Sequence, residues 1–303
     1  MRLSLWPNLM QPVEDVLALA RHAEDTGWDG LWVADHFMGD GGGFGPEESP
    51  TLEATAVLAA LAAATSRVRL GPLVLGATYR HPAVLANWAA TVDRISGGRL
   101  VLGLGAGWQE NEHRQYGIEL GTPGARVARF EEYLTVVRGL LRDERTTFSG
   151  EWYSVTDALC SPGPAQDPLP LLVGAKGDRM LGVVARLADE WNAWGLPGPW
   201  ADRSAVLDRR CEDLGRDPAT IRRSTQALLL PTDDPDRAGR FLEAVAPRAA
   251  AAGSAAELSE VAAGWADAGV DEVIVPDGPL GTGARRLEAL ELLATEVFAP
   301  FRD

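Results

Sequence analysis

Three short stretches of this 303-residue chain hold residue types able to do chemistry. In the first, Asp35 and His36 follow the apolar residues Leu31 to Ala34. An imidazole that titrates near neutrality can take or give a proton while a hydride moves at a neighbouring carbon, so His36 is the leading acid–base group. A histidine tied to a loop carbonyl is the competing reading, and residue pattern alone slightly favours it. In the second stretch, Gly103, Gly105 and Gly107 lead into Trp108, Gln109, Glu110 and Asn111, bringing flexible backbone, an aromatic and ionisable groups to one place. Their spacing is G-x-G-x-G rather than G-x-G-x-x-G, and no strand ending in an acid follows at the distance a dinucleotide fold requires. The third stretch is Gly174, Ala175, Lys176 and Gly177 at the start of a helix. Small residues let backbone N–H groups approach an anion, and the helix start favours it by about 0.3–1 kcal/mol. Lys176 is the only lysine in the chain; a solvent-facing loop lysine is the ordinary alternative.

These stretches need elements to aim them. Short β-rich runs alternate with longer helical ones, the pattern of a parallel sheet with crossover helices. Strands are expected at residues 2–6, 30–34, 68–75, 100–104, 169–174, 190–194, 221–230 and 271–275. Eight such strands close a (β/α)8 TIM barrel, an α/β fold whose C-terminal mouth holds the active site. Residues 1–303 are read as one such domain, with rim insertions after strands two, four and five. The glycine-rich residues 39–50 and the hairpin-like residues 144–168 are both expected on the catalytic rim, the former mobile. The helix expected at 82–96 has proline in its first turn, Val84, Leu85, Trp88, Ala89, Val92 and Ile95 as its apolar stripe, and Gly97 as C-cap. Trp6, Trp108 and Trp194 fall at or just past strand ends, where flat apolar walls could sandwich a planar ring. Trp28, Trp88 and Trp265 read as packing residues.

A net charge of −15 sets the chain against nucleic acid or an anionic membrane surface as partner. Cys160 and Cys211 form no C-x-x-C pair, and with four histidines no metal site is expected. The N-terminus turns polar too early for a signal peptide and no apolar run is long enough to span a bilayer, so a cytoplasmic protein is expected.

In chain order, Asp35-His36, the segment from Leu70 to Pro82, that from Asp93 to Arg99, the run from Gly103 to Trp108 and Gly174-Ala-Lys-Gly177 resemble the bacterial luciferase-like superfamily. They resemble its F420-dependent oxidoreductases more closely. The likeness covers nearly the whole chain up to Trp194 and continues weakly beyond it. It implies a TIM barrel holding a flavin or deazaflavin at its C-terminal mouth. On this resemblance His36 stands beside the reactive ring carbon with Asp35 as its neighbour, and Leu73 and Val74 form a bulge with a non-prolyl cis peptide behind the ring. Gly105, Gly107, Trp108 and Asn111 match the loop beside the ring and its ribityl-like chain, and Gly174, Ala175, Lys176 and Gly177 match the phosphate loop. The string from Gly174 to Leu181 is similar to that of F420-dependent reductases, which makes coenzyme F420 the expected cofactor and FMN the alternative.

One position departs from the family. Some F420-dependent sugar dehydrogenases carry a glutamate directly after the glycine run, where this chain has Trp108 with Glu110 nearby, which sets it against a sugar phosphate substrate. Glu110 joins His36 and Asp35 as a candidate catalytic group. The resemblance thus implies hydride transfer between F420 and a small organic substrate, with His36 relaying the proton. An FMN-dependent monooxygenase and a non-catalytic flavin-binding protein are the rivals. Relatives are often homodimers.

Overall fold

The computed structural model describes residues 1–302. Its centre is a ring of parallel strands: β1 (Arg2–Trp6), β2 (Gly30–Val33), β3 (Arg69–Pro72, resumed at Leu75–Gly76), β4 (Leu102–Gly105), β5 (Leu171–Gly174), β6 (Glu190–Trp194), β7 (Arg222–Gln226) and β8 (Glu272–Pro276). They pair in the order β3-β2-β1-β8-β7-β6-β5-β4. The interrupted strand β3 closes the ring, because its first half pairs with β2 and its second with β4. The Leu73–Val74 peptide between the halves is cis, as the family resemblance implies. The (β/α)8 barrel expected from the sequence is the observed architecture.

Helices α1 (Val13–Asp25), α2 (Ala54–Ala64), α3 (Pro82–Ser96), α4 (Glu110–Tyr116), α5 (Pro123–Arg142), α6 (Asp178–Leu187), α7 (Pro197–Glu212), α8 (Pro235–Val245), α9 (Ala255–Asp267) and α10 (Gly283–Leu292) follow the strands. Side chains alternate along each strand, so Leu3 and Leu5 of β1 pack outward in the large core under the helices, while Trp6 joins Trp32, Leu73, Val101, Leu172 and Ile274 in a separate core inside the barrel. Gly71 belongs to this inner layer: a Cβ there would meet the Trp32 indole.

Several expectations need correction. Residues 39–50 do leave the upper end of β2, and residues 106–122, with α4, form the insertion after β4. Residues 144–168 are not on the rim. They follow α5 and enter β5 from its N-terminal end, because a helix-to-strand connection returns the chain to the bottom of the barrel. Their hairpin, Thr146–Ser149 against Ser154–Ala158, lies along α5, where the Glu132 carboxylate accepts N–H groups of Glu151, Trp152 and Tyr153. No insertion follows β5, which is separated from α6 only by Ala175, Lys176 and Gly177. The unforeseen insertion follows β7: a parallel pair, Leu228–Pro231 with Ala250–Gly253, carrying α8 between its strands. The single strand expected at 221–230 merged β7 with the first of these. In α3 the buried face runs through Leu85, Ala89 and Val92, leaving Val84 and Ile95 exposed.

The lower end of the barrel is closed by charge. Arg69 donates to Glu190 at 2.6 Å and to Glu272 at 2.7 Å, and Glu272 also accepts from Ser4 at 2.6 Å and Trp32 at 2.7 Å. Burial pushes the Glu190 carboxyl up even beside Arg69, with the Glu272 charge adding to the effect. Buried ions are tolerated only when paired, and removing one partner strands the others. Arg69→Met is expected to cost about 3–5 kcal/mol in urea unfolding followed by tryptophan fluorescence, and converting Glu190 and Glu272 to Gln in that background recovers part of the loss.

Candidate active site

The upper, C-terminal ends of the strands open into two adjoining cavities. The smaller, about 340 Å³, is floored by Leu73, Val74, Gly76, Gly105 and Ala106 and walled by Trp6, Trp108 and Trp194. The larger, about 540 Å³, lies between the loop after β2 and the insertion after β7. Trp6, His36, Phe44 and Trp194 line both. The three tryptophans expected at strand ends therefore do converge on one mouth. Trp6 and Trp194 have ring centroids 5.7 Å apart, and Trp108 meets the His36 ring edge-on at 5.3 Å.

His36 is held by a carboxylate that sequence reasoning overlooked. Its Nδ1–H donates to Glu112 Oε1 at 3.0 Å, a tautomer assigned from the hydrogen-bond network, which leaves Nε2 without a partner among the described residues. Glu112 comes from α4 and is fully buried. Its other oxygen accepts the Phe37 N–H at 2.9 Å, and Tyr79 Oη–H donates to Oε1. Burial pushes the Glu112 carboxyl up, but the hydrogen bonds from His36, Tyr79 and Phe37 outweigh it and hold the group below the usual carboxylate range. Burial and the Glu112 carboxylate together push the Tyr79 phenol up. Adjacent His113 serves structure: its Nδ1–H donates to the Gln109 carbonyl at 2.6 Å and its Nε2 accepts from Thr78 at 2.8 Å.

Asp35 lines the smaller cavity, but its oxygens are occupied. Arg80 donates to them in a two-pronged pair at 2.6 and 2.8 Å, and the Gly76 N–H donates at 2.9 Å. Arg80 reaches on to Glu53 at 2.6 Å, and the two carboxylates, working against burial, push its guanidinium up. Asp35 thus braces β3 against β2. Glu110, expected as a catalytic carboxylate, is exposed on the first turn of α4 and lines neither cavity. The short helix turns residues 111 to 113 inward and residue 110 out, a phase that a seven-residue element without an apolar stripe does not announce.

Of the remaining expected residues, Gly107, Gly174, Ala175 and Lys176 line the smaller cavity. Gly107 has φ +84°, and a Cβ there would come within 2.9 Å of Thr78 Oγ1. Asn111 lies outside the lining and instead donates to the Gly39 carbonyl at 2.8 Å. Gly177 is the N-cap of α6, one step beyond the lining, with no side chain capping that helix start. Lys176 is exposed and has no ion pair among the described residues. Gln226, at the end of β7, was not foreseen; it is buried in the lining, and its Oε1 has no partner among the described residues. The loop expected to be mobile is pinned at several points. Asp40 accepts the N–H groups of Gly42 and Phe44, each at 2.8 Å, and Arg248 donates to the Gly43 carbonyl at 2.9 Å.

A family model described as luciferase-like monooxygenase matches residues 1–294. The chain belongs to that family. Among curated proteins, this luciferase-like chain is similar to F420-dependent glucose-6-phosphate dehydrogenases. That of Kineococcus radiotolerans is 30% identical over 223 residues, covering 72% of this chain and 64% of its own length. That of Microbacterium testaceum is 37% identical over 171 residues, covering 55% and 48%. The chain therefore spans between about half and just under two thirds of these relatives. Among solved structures, an F420-dependent secondary alcohol dehydrogenase in complex with an F420–acetone adduct superposes with a TM-score of 0.86 at 19% identity, covering 100% of this chain and 99% of that one. A coenzyme F420-dependent tetrahydromethanopterin reductase from Methanopyrus kandleri gives 0.82 at 19% identity, covering 99% of each. At that identity both show the luciferase-like fold.

Glu112 is the join between α4, the loop after β2 and the turn after β3. Glu112→Gln is expected to destabilise the chain by about 1.5–3 kcal/mol at neutral pH. Because the folded carboxyl sits below its ordinary value of 4.5, its stabilisation is complete above that pH and is lost as pH falls through the folded value. Denaturation of wild type and variant at a series of pH values should show the gap narrowing as the solution is acidified through that folded value.

Proposed function

We propose that this chain is an F420-dependent oxidoreductase that transfers a hydride between the cofactor and a small organic substrate. The observation that carries this reading is His36 at the junction of two cavities, with Nδ1 on a buried carboxylate and Nε2 free. The smaller cavity suits a flat heterocycle with an anionic tail. Its floor is aliphatic and glycine-rich, the orphaned Gln226 Oε1 offers an acceptor to a ring or hydroxyl donor, and Lys176 stands beside the uncapped start of α6. The similarity to F420-dependent dehydrogenases at 30 to 37% identity favours F420 over FMN.

Bound there, F420 would supply a ring carbon that accepts or donates a hydride. The protein contributes position and a proton. Leu73 and Val74 would lie behind the ring, and Trp6, Trp194 and Phe44 would wall the substrate side and help align the two carbons. As an alcohol is oxidised, His36 Nε2 takes the hydroxyl proton, and the ionised Glu112 stabilises the imidazolium. In the reverse direction that imidazolium returns the proton to the carbonyl oxygen. Arg80, fastened to Asp35, keeps the backbone beneath the ring in register.

Titrating the purified chain with F420 and FMN, oxidised and reduced, tests the cofactor directly. Selective F420 binding is the expected result; selective FMN binding with oxygen uptake would move the chain to monooxygenase chemistry, and binding of neither would remove the proposal. His36→Ala should lower turnover by about 10²- to 10⁴-fold while F420 affinity stays nearly unchanged. Lys176→Ala should weaken F420 binding about fivefold, in keeping with roughly 1 kcal/mol from an exposed cation, and unchanged affinity would assign the anion to backbone N–H groups alone.

A further inference from the structure

Helix α8 is amphipathic, yet its apolar face is only half-buried. Ala238, Phe241, Leu242 and Val245 recur at the spacing of an apolar helix face, but no residue of α8 is buried. Two of them, Phe241 and Val245, line the larger cavity together with Leu9, Met10, Leu228 and Pro279. The wall is continuous with the cofactor site, because Trp6, Phe44, Trp194 and His36 belong to both cavities. Its lining carboxylate is ion-paired, and its arginine is tied to the loop by one hydrogen bond. Asp277 is paired with Arg286 at 2.9 Å and accepts the Asn8 N–H at 2.9 Å, and Arg248 donates to the Gly43 carbonyl. Lys176 lies in the smaller cavity.

We infer that the larger cavity binds an apolar alcohol or the matching carbonyl compound, with its hydrocarbon body against Phe241 and Val245 and its oxygen at His36 Nε2, and that it rejects a sugar phosphate. The hydride-transfer part rests on the function proposed above; the binding part does not. On oxidation, the carbinol C–H bond breaks and its electron pair leaves with the hydride to oxidised F420, the O–H proton passes to His36, and the carbon–oxygen double bond forms. A polyol placed here would bury hydroxyls against this apolar wall, where they lose hydrogen bonds to water. An apolar ligand would instead cover the part of the α8 face that the fold leaves exposed.

Isothermal titration of the full chain, with and without F420, against 4-phenylbutan-2-one and against glucose 6-phosphate tests this. The ketone should bind saturably and quench tryptophan fluorescence in the cofactor-free chain as well, and glucose 6-phosphate should give no heat. Phe241→Asp should weaken ketone binding about tenfold or more and leave F420 affinity unchanged. Val245→Asp provides the same test should the first variant lose its circular dichroism signature. Tighter binding of glucose 6-phosphate than of the ketone, or ketone affinity indifferent to both substitutions, would overturn the inference while leaving the F420 reading intact. If F420 fails to bind, the hydride-transfer reading falls, and the ketone titration of the cofactor-free chain still decides what the cavity holds.

Discussion

A closed ring of parallel strands must fill its own lumen, and everything at the mouth of this barrel stands on that filling. At the bottom, Arg69 spans Glu190 and Glu272. Above them Trp32, Val101, Leu172 and Ile274 form a dry layer. Ions in such a place cost free energy unless each has partners, so Ser4 and Trp32 donate to Glu272 as well. Above this packed layer the cavities open at the C-terminal ends of the strands, with Leu73 in the floor and Trp6 in the wall.

The mouth has its own organising group in Glu112. One buried carboxylate receives hydrogen bonds from His36, Phe37 and Tyr79, which come from two different strand-to-helix connections. The same contacts that fasten α4 over the barrel set the tautomer of His36 and point its free nitrogen away from the carboxylate. Asp35 does comparable work one residue earlier, gripping Arg80 and the Gly76 amide. Adjacent acid and imidazole in the sequence thus serve separate ends: Asp35 braces the backbone, and His36 is presented to the cavities. The two cavities meet at that imidazole.

Much of the fold was legible because its signals are local. A parallel strand buried on both faces reads as a short apolar run, and seven of the eight barrel strands lie where such runs predict them to within a few residues. The exception in kind was β7, where Ala227 bridges the last barrel residue, Gln226, and the first residue of the insertion, Leu228, without any turn residue to mark the change. The hairpin near residue 150 was recognised as a hairpin, yet its location was misjudged, since side of barrel depends on whether a segment follows a strand or a helix. α8 offered a clear amphipathic pattern, but periodicity says only that one face is apolar and not whether protein covers it.

By itself the sequence determined the order of the barrel strands, the (β/α)8 class, the place of His36 at a strand end, the glycine loops and the convergence of Trp6, Trp108 and Trp194, because each follows from residues close together in the chain or from a fixed strand-end position. Only the tertiary structure decided that Glu112 and not Glu110 meets His36, that Asp35 is consumed by Arg80, that Gln226 carries an orphaned oxygen, and that α8 walls an apolar cavity beside the cofactor site. Those outcomes depend on the phase of a short helix and on contacts between residues separated by 45 to 76 positions. Distance along the chain hides them, and closure of the barrel brings them into contact.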